Sequence, residues 1–463
     1  FALDFYIRLW ESPKFSDELR NDIFPRMLDV IDNNNGYVGE QAIYKIIKIK
    51  DKFTDRELER FRDAIVDAVL QNKNGEIKRA GFEVLKELIT IETPQQVCKK
   101  ILEASKSVLK FKEKDTLLMT VRLLLIMREH FSADDEKLIV QIFEKFKKDN
   151  GLEYTTSNII VSCGAKHSLF NIFMVILNPG DEVIIFSPYW VSYEEQVKIA
   201  DGIPVFVKLD EKNNYEIDFD FLKSKITNKT KAIIINSPSN PTGAVLSEKS
   251  LQKIAEIALE KNLIVISDEI YEKLIYNGKK HISIASLSKE IKKNTIVVNG
   301  VSKTYAMTGW RIGYIASDNK EIVNAIDNLQ SHSTSNPATM TQIAAIEALK
   351  TDENVILSMV NEFDKRRKFI MEKINSIKSL SYIEPEGAFY IFPNFRQLIG
   401  KSINNKKIDG SLALAELLLN EAKVAVVPGI AFGADDCFRL SYATSMSNIE
   451  KGLDRIAQFI NKI

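Results

Sequence analysis

At 463 residues the chain is too long for a single small module and has the size of two large domains or about three average ones. Its 63 Lys and Arg balance 63 Asp and Glu, so no global basic field exists to hold nucleic acid or an anionic membrane, and a charged ligand must be met by local groups. With 45% hydrophobic and 27% charged residues the composition is that of an ordinary globular protein with a sizeable core.

Phe1–Trp10 is apolar but has neither the basic leader nor the cleavage site of a signal peptide. The longest apolar stretch, Leu117–Met127, carries Arg122 and falls well short of a bilayer span, so no membrane association is expected. The three cysteines, Cys98, Cys163 and Cys437, show no CxxC pairing, which fits a reducing, cytoplasmic compartment.

Residues 1–145 read as a mostly helical region, with apolar residues at helical spacing over Glu57–Leu70 and again over Asp135–Phe146. Two Asn-Gly segments, VIDNNNGYV (Val30–Val38) and LQNKNGEI (Leu70–Ile77), lie between helical stretches and resemble a degenerate pair of EF-hands. A calcium loop needs oxygen ligands at positions 1, 3, 5 and 12 with Gly at 6. Aligned on Gly75, position 1 is Leu70 and position 12 is Gly81; in the first segment Asp32 stands one residue too close to Gly36. Tight calcium binding is not expected, and plain Asn-Gly turns between helices account for both segments equally well.

From Gly151 the texture changes to short β-branched runs alternating with amphipathic stretches: Ile159–Ser162, Glu182–Phe186, Ala232–Asn236, Leu263–Ser267 and Thr295–Asn299. Alternation of this kind predicts an α/β fold with a mostly parallel sheet over residues 146–335. Shorter strand candidates, Gly387–Phe392, Val424–Val427 and Phe438–Tyr442, predict a smaller α/β subdomain at 336–463. Ligands of such a sheet bind outside the carboxyl ends of its strands.

Chemistry-bearing residues follow those ends. Lys303 comes just after Thr295–Asn299, within GVSKTYAMTGWRIGY (Gly300–Tyr314), where a desolvated lysine can form a Schiff base with an aldehyde cofactor. SDEIY places Asp268 at the end of its strand with Tyr271 three residues on; a carboxylate there suits a protonated pyridine nitrogen, although a helix cap is the ordinary alternative. SPSNPTG (Ser237–Gly243) puts the Asn240 amide at a third strand end. No metal-ligand spacing accompanies His167 or His332, and no metal site is expected.

In this order and at these spacings, SPSNPTG, SDEIY and GVSKTYAMTGWRIGY resemble the fold-type I pyridoxal phosphate aminotransferases. PYWVSY (Pro188–Tyr193), STSNP (Ser333–Pro337), EGAFY (Glu386–Tyr390), AVVPG (Ala425–Gly429) and FRLSYATS (Phe438–Ser445) make the chain similar to the prokaryotic-type aspartate/prephenate subgroup from about residue 146 onward. The resemblance implies pyridoxal 5'-phosphate as cofactor, amino acids and 2-oxo acids as substrates, and a homodimer.

It makes Lys303 the lysine bonded to the cofactor, Asp268 the pyridine partner, and Tyr271 and Asn240 the partners of the phenolic oxygen, with Trp190 stacked on the ring. Gly164, Ala165 and Lys166, opening a helix, would hold the phosphate with their backbone amides. Arg311 is the fixed cation on that phosphate, and Ser302 a weaker contact, because many relatives carry a hydroxyl where this chain has Gly300. Arg439 is placed on the substrate α-carboxylate, beside Asn240 and Trp190, and Lys166 on the distal carboxylate of a dicarboxylic substrate.

The expected activity is transamination of aspartate and glutamate with 2-oxoglutarate or oxaloacetate. The alternatives are an aromatic or prephenate aminotransferase and a catalytically impaired scaffold behind a helical binding module. The GEPDF-like and KYT segments with which family members open are not found, and only ETPQQV (Glu92–Val97) faintly resembles the family's TP segment.

Overall fold

The computed structural model describes residues 3, 7, 17–31, 36–71, 75–89, 97, 100–101, 135–404 and 406–462. The chain divides into two compact units, Phe1–Asp134 and Asp135–Ile463.

The first unit contains helices α1 (Asp17–Asp29), α2 (Gly36–Ile47), α3 (Asp55–Gln71) and α4 (Gly75–Leu88). Thr54 and Glu57 start α3 by reciprocal capping: Thr54 N donates to Glu57 Oε2 at 2.8 Å and Glu57 N to Thr54 Oγ1 at 3.4 Å. Phe61, Ile65 and Val69, four apart on one face, are buried with Phe24, Ile43 and Phe82. Helix packing here leaves no room at Gly81, where a Cβ would meet Val69 Cγ2 at 2.3 Å.

The helical reading of this region is met, but the resemblance to EF-hands is corrected in one respect. Only residues 72–74 separate α3 from α4, and 30–35 separate α1 from α2. Both glycines, Gly36 and Gly75, start helices instead of sitting in the middle of a 12-residue loop. Asp32, Cys98, Glu92–Gln96 and the apolar stretch 117–127 lie outside the described residues.

The second unit opens on α5 (Asp135–Asn150), which runs through the domain boundary expected at 145/146. Its Leu138, Ile142 and Phe146 are buried in one core with Ile159, Val297 and Tyr314, which is why the helix belongs with the α/β unit. Phe146 meets the Tyr154 and Tyr314 rings edge-on at 5.4 and 5.7 Å.

A seven-stranded sheet follows, in the order β1 (Ile159–Ser162), β7 (Gly313–Ala316), β6 (Thr295–Gly300), β5 (Ile264–Asp268), β4 (Thr230–Asn236), β2 (Glu182–Ser187), β3 (Ile203–Lys208). All neighbours are parallel except β7, which is antiparallel to both β1 and β6. Strand alternation fills both faces. Val183, Ile185, Ile234 and Ile266 pack with α6 (Ala165–Ile176), while Ile184, Ile233, Ile235 and Val265 pack against the helix Glu248–Glu260.

Five of these strands were expected from sequence; β3 and β7 were not. Pro204 masks β3, and is tolerated because β3 is the sheet edge. The short β7 opens on Gly313, where a Cβ would lie 2.1 Å from Ala165 N.

Toward the C-terminus a three-stranded antiparallel sheet joins Val427–Pro428, Phe438–Ser441 and Tyr390–Ile391, shorter than the runs expected there. Packing does not break at the expected 335/336 boundary: Ile270, Tyr271, Leu274 and Tyr276 share a core with Ile356, Ile391, Phe438 and Leu453. Among the described residues no helix is long and apolar enough to cross a membrane.

Candidate active site

Asn236, Asp268 and Gly300 end β4, β5 and β6, and these three adjacent carboxyl ends open onto a cavity of about 440 Å³. Asn236 ties two of the loops together: its Nδ2 donates to Asp268 O at 2.9 Å and its Oδ1 accepts from Asn240 N at 2.8 Å. The SPSNPTG turn is in turn pinned to the later EGAFY segment, since Gly243 O accepts from Glu386 N at 2.9 Å and Gly387 N at 2.8 Å. Tyr390 is thereby brought to the same cavity.

Asp268 is 4% exposed, and Tyr193 Oη donates to its Oδ2 at 2.6 Å. Burial pushes the Asp268 carboxyl up to about 6, against the Tyr193 bond, the Ile270 N–H and the Lys303 charge. Tyr271 lies buried beside it, its hydroxyl 2.9 Å from that of Tyr390.

Lys303 is half-buried, with its Nζ 5.7 Å from the Tyr271 ring centre and 5.5 Å from that of Phe389. Burial and the Arg439 charge hold its ammonium below the ordinary lysine range, opposed by Asp268. A lysine so placed is more readily neutral, the form that acts as nucleophile and base.

Arg439, from the strand Phe438–Ser441, lies between the Tyr390 and Phe432 rings at 4.4 and 4.9 Å. Its Nη1 donates to Asn240 Oδ1 at 2.8 Å, while its Nε is buried with no partner among the described residues. Such an orphaned donor is expected where an anionic ligand completes the site.

On the opposite wall Gly164, at φ +93°, precedes α6. A Cβ there would stand 2.2 Å from Arg311 Nη2, so Gly164 makes the gap in which the guanidinium lies. Arg311 Nη1 donates to Thr308 O at 2.9 Å, and Thr308 Oγ1 to Ser302 O at 2.9 Å. Lys166, exposed on the first turn of α6, holds its Nζ 5.0 Å above the Trp190 ring.

The cavity is therefore lined by Lys166, Lys303, Arg311 and Arg439 against one carboxylate, Asp268. In a chain without net charge, this local excess suits a ligand carrying several negative charges. All the residues singled out from sequence gather here, Gly164 behind Arg311 and the others on the walls. Tyr193, Asn236, Thr308 and Tyr390 were missed as individual contributors; Tyr193 and Tyr390 end the PYWVSY and EGAFY motifs, which was the available signal. His332 is exposed at the end of helix Lys320–Ser331, and His167 Nδ1 accepts from Cys163 N at 3.2 Å. Cys163 and Cys437 are free thiols.

The chain is 52% identical over 319 residues to the aspartate aminotransferase of Bacillus sp. (strain YM-2), covering 69% of this chain and 80% of that protein. It is 46% identical over 334 residues to a probable aspartate/prephenate aminotransferase of Aquifex aeolicus, covering 72% and 83%. Among solved structures, the aspartate aminotransferase from Rhizobium meliloti superposes with a TM-score of 0.68 at 39% identity, covering 71% of this chain and 82% of that one. Residues 93–456 match the family described as aminotransferase class I and II, and to that family the chain belongs.

Proposed function

We propose that the chain transaminates aspartate and glutamate with their 2-oxo acids, using pyridoxal 5'-phosphate held in the cavity between β4, β5, β6 and α6. Pyridoxal phosphate-dependent transfer of an amino group to a 2-oxo acid is the chemistry of the family. The observation that supports the dicarboxylic substrate is that Lys166, Arg311 and Arg439 line the cavity besides Lys303, enough for a phosphate and two substrate carboxylates.

The residues fit the cofactor. Asp268 is a buried carboxylate facing the cavity, suited to a protonated ring nitrogen, and Tyr271 and Asn240 offer a hydroxyl and an amide for the phenolic oxygen. Arg311, in the gap left by Gly164, and the first amides of α6 at Ala165 and Lys166 suit the phosphate, with Ser302 alongside. Trp190 offers a ring face. Bound there, the cofactor supplies an aldehyde for amines and an aromatic electron sink.

The remaining work belongs to the chain. Arg439, held by Asn240 and two aromatic rings, grips the substrate α-carboxylate with a planar fork and orients the α-carbon. Lys303 Nζ, whose neutral form is favoured by burial and by the Arg439 charge, removes the α-proton and delivers it again on the far side of the transfer. Lys166 Nζ meets the distal carboxylate above Trp190. An aromatic or prephenate substrate is the second reading, favoured by the Aquifex relative's name. A homodimer in the cytoplasm is the setting we propose with it.

Watching the visible absorbance of the bound cofactor while aspartate, glutamate, phenylalanine and arogenate are added in turn tests the proposal. Aspartate and glutamate should bleach it fastest, and a faster response to phenylalanine or arogenate would transfer the assignment to the second reading. Borohydride reduction and peptide mapping should label Lys303.

A further inference from the structure

Asp268 and Tyr271 face the cavity, while Glu269 and Glu272, between and beyond them in the same turn, face the opposite way and are 1% and 6% exposed. Neither carboxylate touches the site, yet each is fully partnered. Glu272 pairs with Lys145 Nζ from α5, and accepts from Asn150 Nδ2 at 2.9 Å and Asn299 Nδ2 at 2.8 Å. Glu269 accepts from Ser267 Oγ at 2.8 Å and Ser283 Oγ at 2.7 Å, and its Oε2 stands 2.9 Å from His281 Nε2. His281 Nδ1 is buried with no partner among the described residues, so the ring's contact is with Glu269.

Three buried polar anchors, on α5, on β6 and on the segment after β5, thus converge behind a turn of five residues. Unpaired, a carboxylate one residue from Asp268 would drive Asp268 toward its neutral form, since like charges in a dry interior raise each other's proton affinity. We propose that Lys145 and His281 are positioning residues of the cofactor pocket: by neutralising Glu272 and Glu269 behind the turn, they keep Asp268 ionised and aimed at the ring nitrogen. The inference rests on the assignment of Asp268 to that nitrogen.

Other charges near the layer do not replace it. Lys273 pairs with Asp149 at 2.8 Å and Lys292 with Asp318 at 2.9 Å. Tyr154, Tyr305 and Tyr314 face the same carboxylates, and burial pushes their hydroxyls up, so they stay neutral. Against burial, the Lys145 and His281 charges hold the Glu272 carboxyl down to about 2; burial opposes the charge on His281, and Glu269 prevails, raising it. Glu269, Glu272 and His281 have ligand atoms within 4.8 Å of one another, as a metal site would, but the Lys145 ammonium already supplies a cation there.

Four variants of the cofactor-loaded protein test the idea: Lys145→Met removes a cation and His281→Gln the imidazole whose protonation Glu269 favours, while Glu272→Gln and Glu269→Gln each remove an anion. The readouts are the pH midpoint of the bound cofactor's visible absorbance and the cofactor dissociation constant. Removing a cation should move the midpoint up and removing an anion should move it down, each by roughly half a pH unit or more for charges acting through protein. The double variants Lys145→Met/Glu272→Gln and His281→Gln/Glu269→Gln should return it toward the parent. Loosening of the turn would shift all four in one direction, so the opposed signs separate tuning from mere packing. Where a cation variant does not fold, the anion variant of the same pair, whose midpoint should fall, carries the comparison. Shifts of one sign, no shifts, or a stoichiometric divalent metal in the purified protein overturn the inference. If Asp268→Asn shifts the midpoint and the layer variants do not, only the layer fails; if Asp268→Asn leaves it unmoved, the assignment of Asp268 fails with it.

Discussion

Arg439 and Asn240, 199 positions apart in sequence, share a hydrogen bond of 2.8 Å inside the cavity, so the arginine we propose for the substrate carboxylate is held by the loop that also lines the proposed cofactor pocket. Asn240→Ala removes that hold. A hydrogen bond to a charged group is worth about 1.5–3 kcal/mol, and kcat/KM should fall on the order of tenfold to a hundredfold for every substrate. Steady-state kinetics with two amino donors check it; loss for only one of them would deny Asn240 a role at the shared α-carboxylate.

Asp268→Asn should leave the cofactor bound and reduce turnover by at least a hundredfold, because a neutral amide cannot hold a proton on the ring nitrogen. The pH dependence has a definite sign. With its carboxyl raised to about 6, Asp268 becomes neutral as pH falls through that value, and cofactor affinity should weaken below it. Titrating the cofactor-free protein between about pH 5 and 8 measures this against the phosphate's own ionisation near 6. Asp268→Asn should flatten the part that belongs to the protein.

Lys166→Ala should harm aspartate and glutamate more than phenylalanine. The ammonium is exposed, so the loss belongs at the low end of the range for a charge-assisted hydrogen bond, about 1–2 kcal/mol or roughly tenfold in kcat/KM. Equal loss for both classes would reassign Lys166 to the phosphate.

Gly164→Ala combines a left-handed backbone with a Cβ 2.2 Å from Arg311 Nη2. The guanidinium must leave its place, and cofactor affinity should drop at least tenfold while secondary structure, followed by circular dichroism, is retained. An unchanged dissociation constant removes Arg311 from the phosphate.

The helical unit should give no calcium isotherm at micromolar concentrations. Three residues between α3 and α4 cannot supply a ligand shell that needs positions 1 to 12 of a loop. Calorimetry on the whole chain decides it.

Strands with a compact β-branched run were legible from sequence, Thr295–Asn299 and Ala232–Asn236 above all, because burial on both faces demands such residues. Ile203–Lys208 was not, because its proline is permissible only at an edge that tertiary pairing creates. Asp268 and Lys303 were legible because each stands at or just after a strand end within a spaced motif, whereas Arg439, which lies inside a strand, was legible only through the family resemblance. Tyr193 and Tyr390 acquire their roles through bonds spanning 75 and 119 positions to Asp268 and Tyr271, and no local pattern encodes those. The same holds for Lys145, which reads as one more lysine on an amphipathic helix until α5 is docked.

The reversed strand β7 pairs Gly300 with Gly313, closing residues 301–312 into a hairpin whose ends are both glycines. Lys303 and Arg311 sit on this one loop. Their separation is thus set by a local closure and not by the docking of distant elements, and a glycine is needed at each end: a Cβ at Gly300 would meet Ile312 O at 2.7 Å. Lengthening or shortening this loop by even one residue would change the reach between the two groups in a way no side-chain substitution elsewhere can offset. Changes of length in this chain should accordingly be tolerated at the opposite end of the sheet, in a turn such as Asn178–Asp181 just before β2, and refused between Val301 and Ile312.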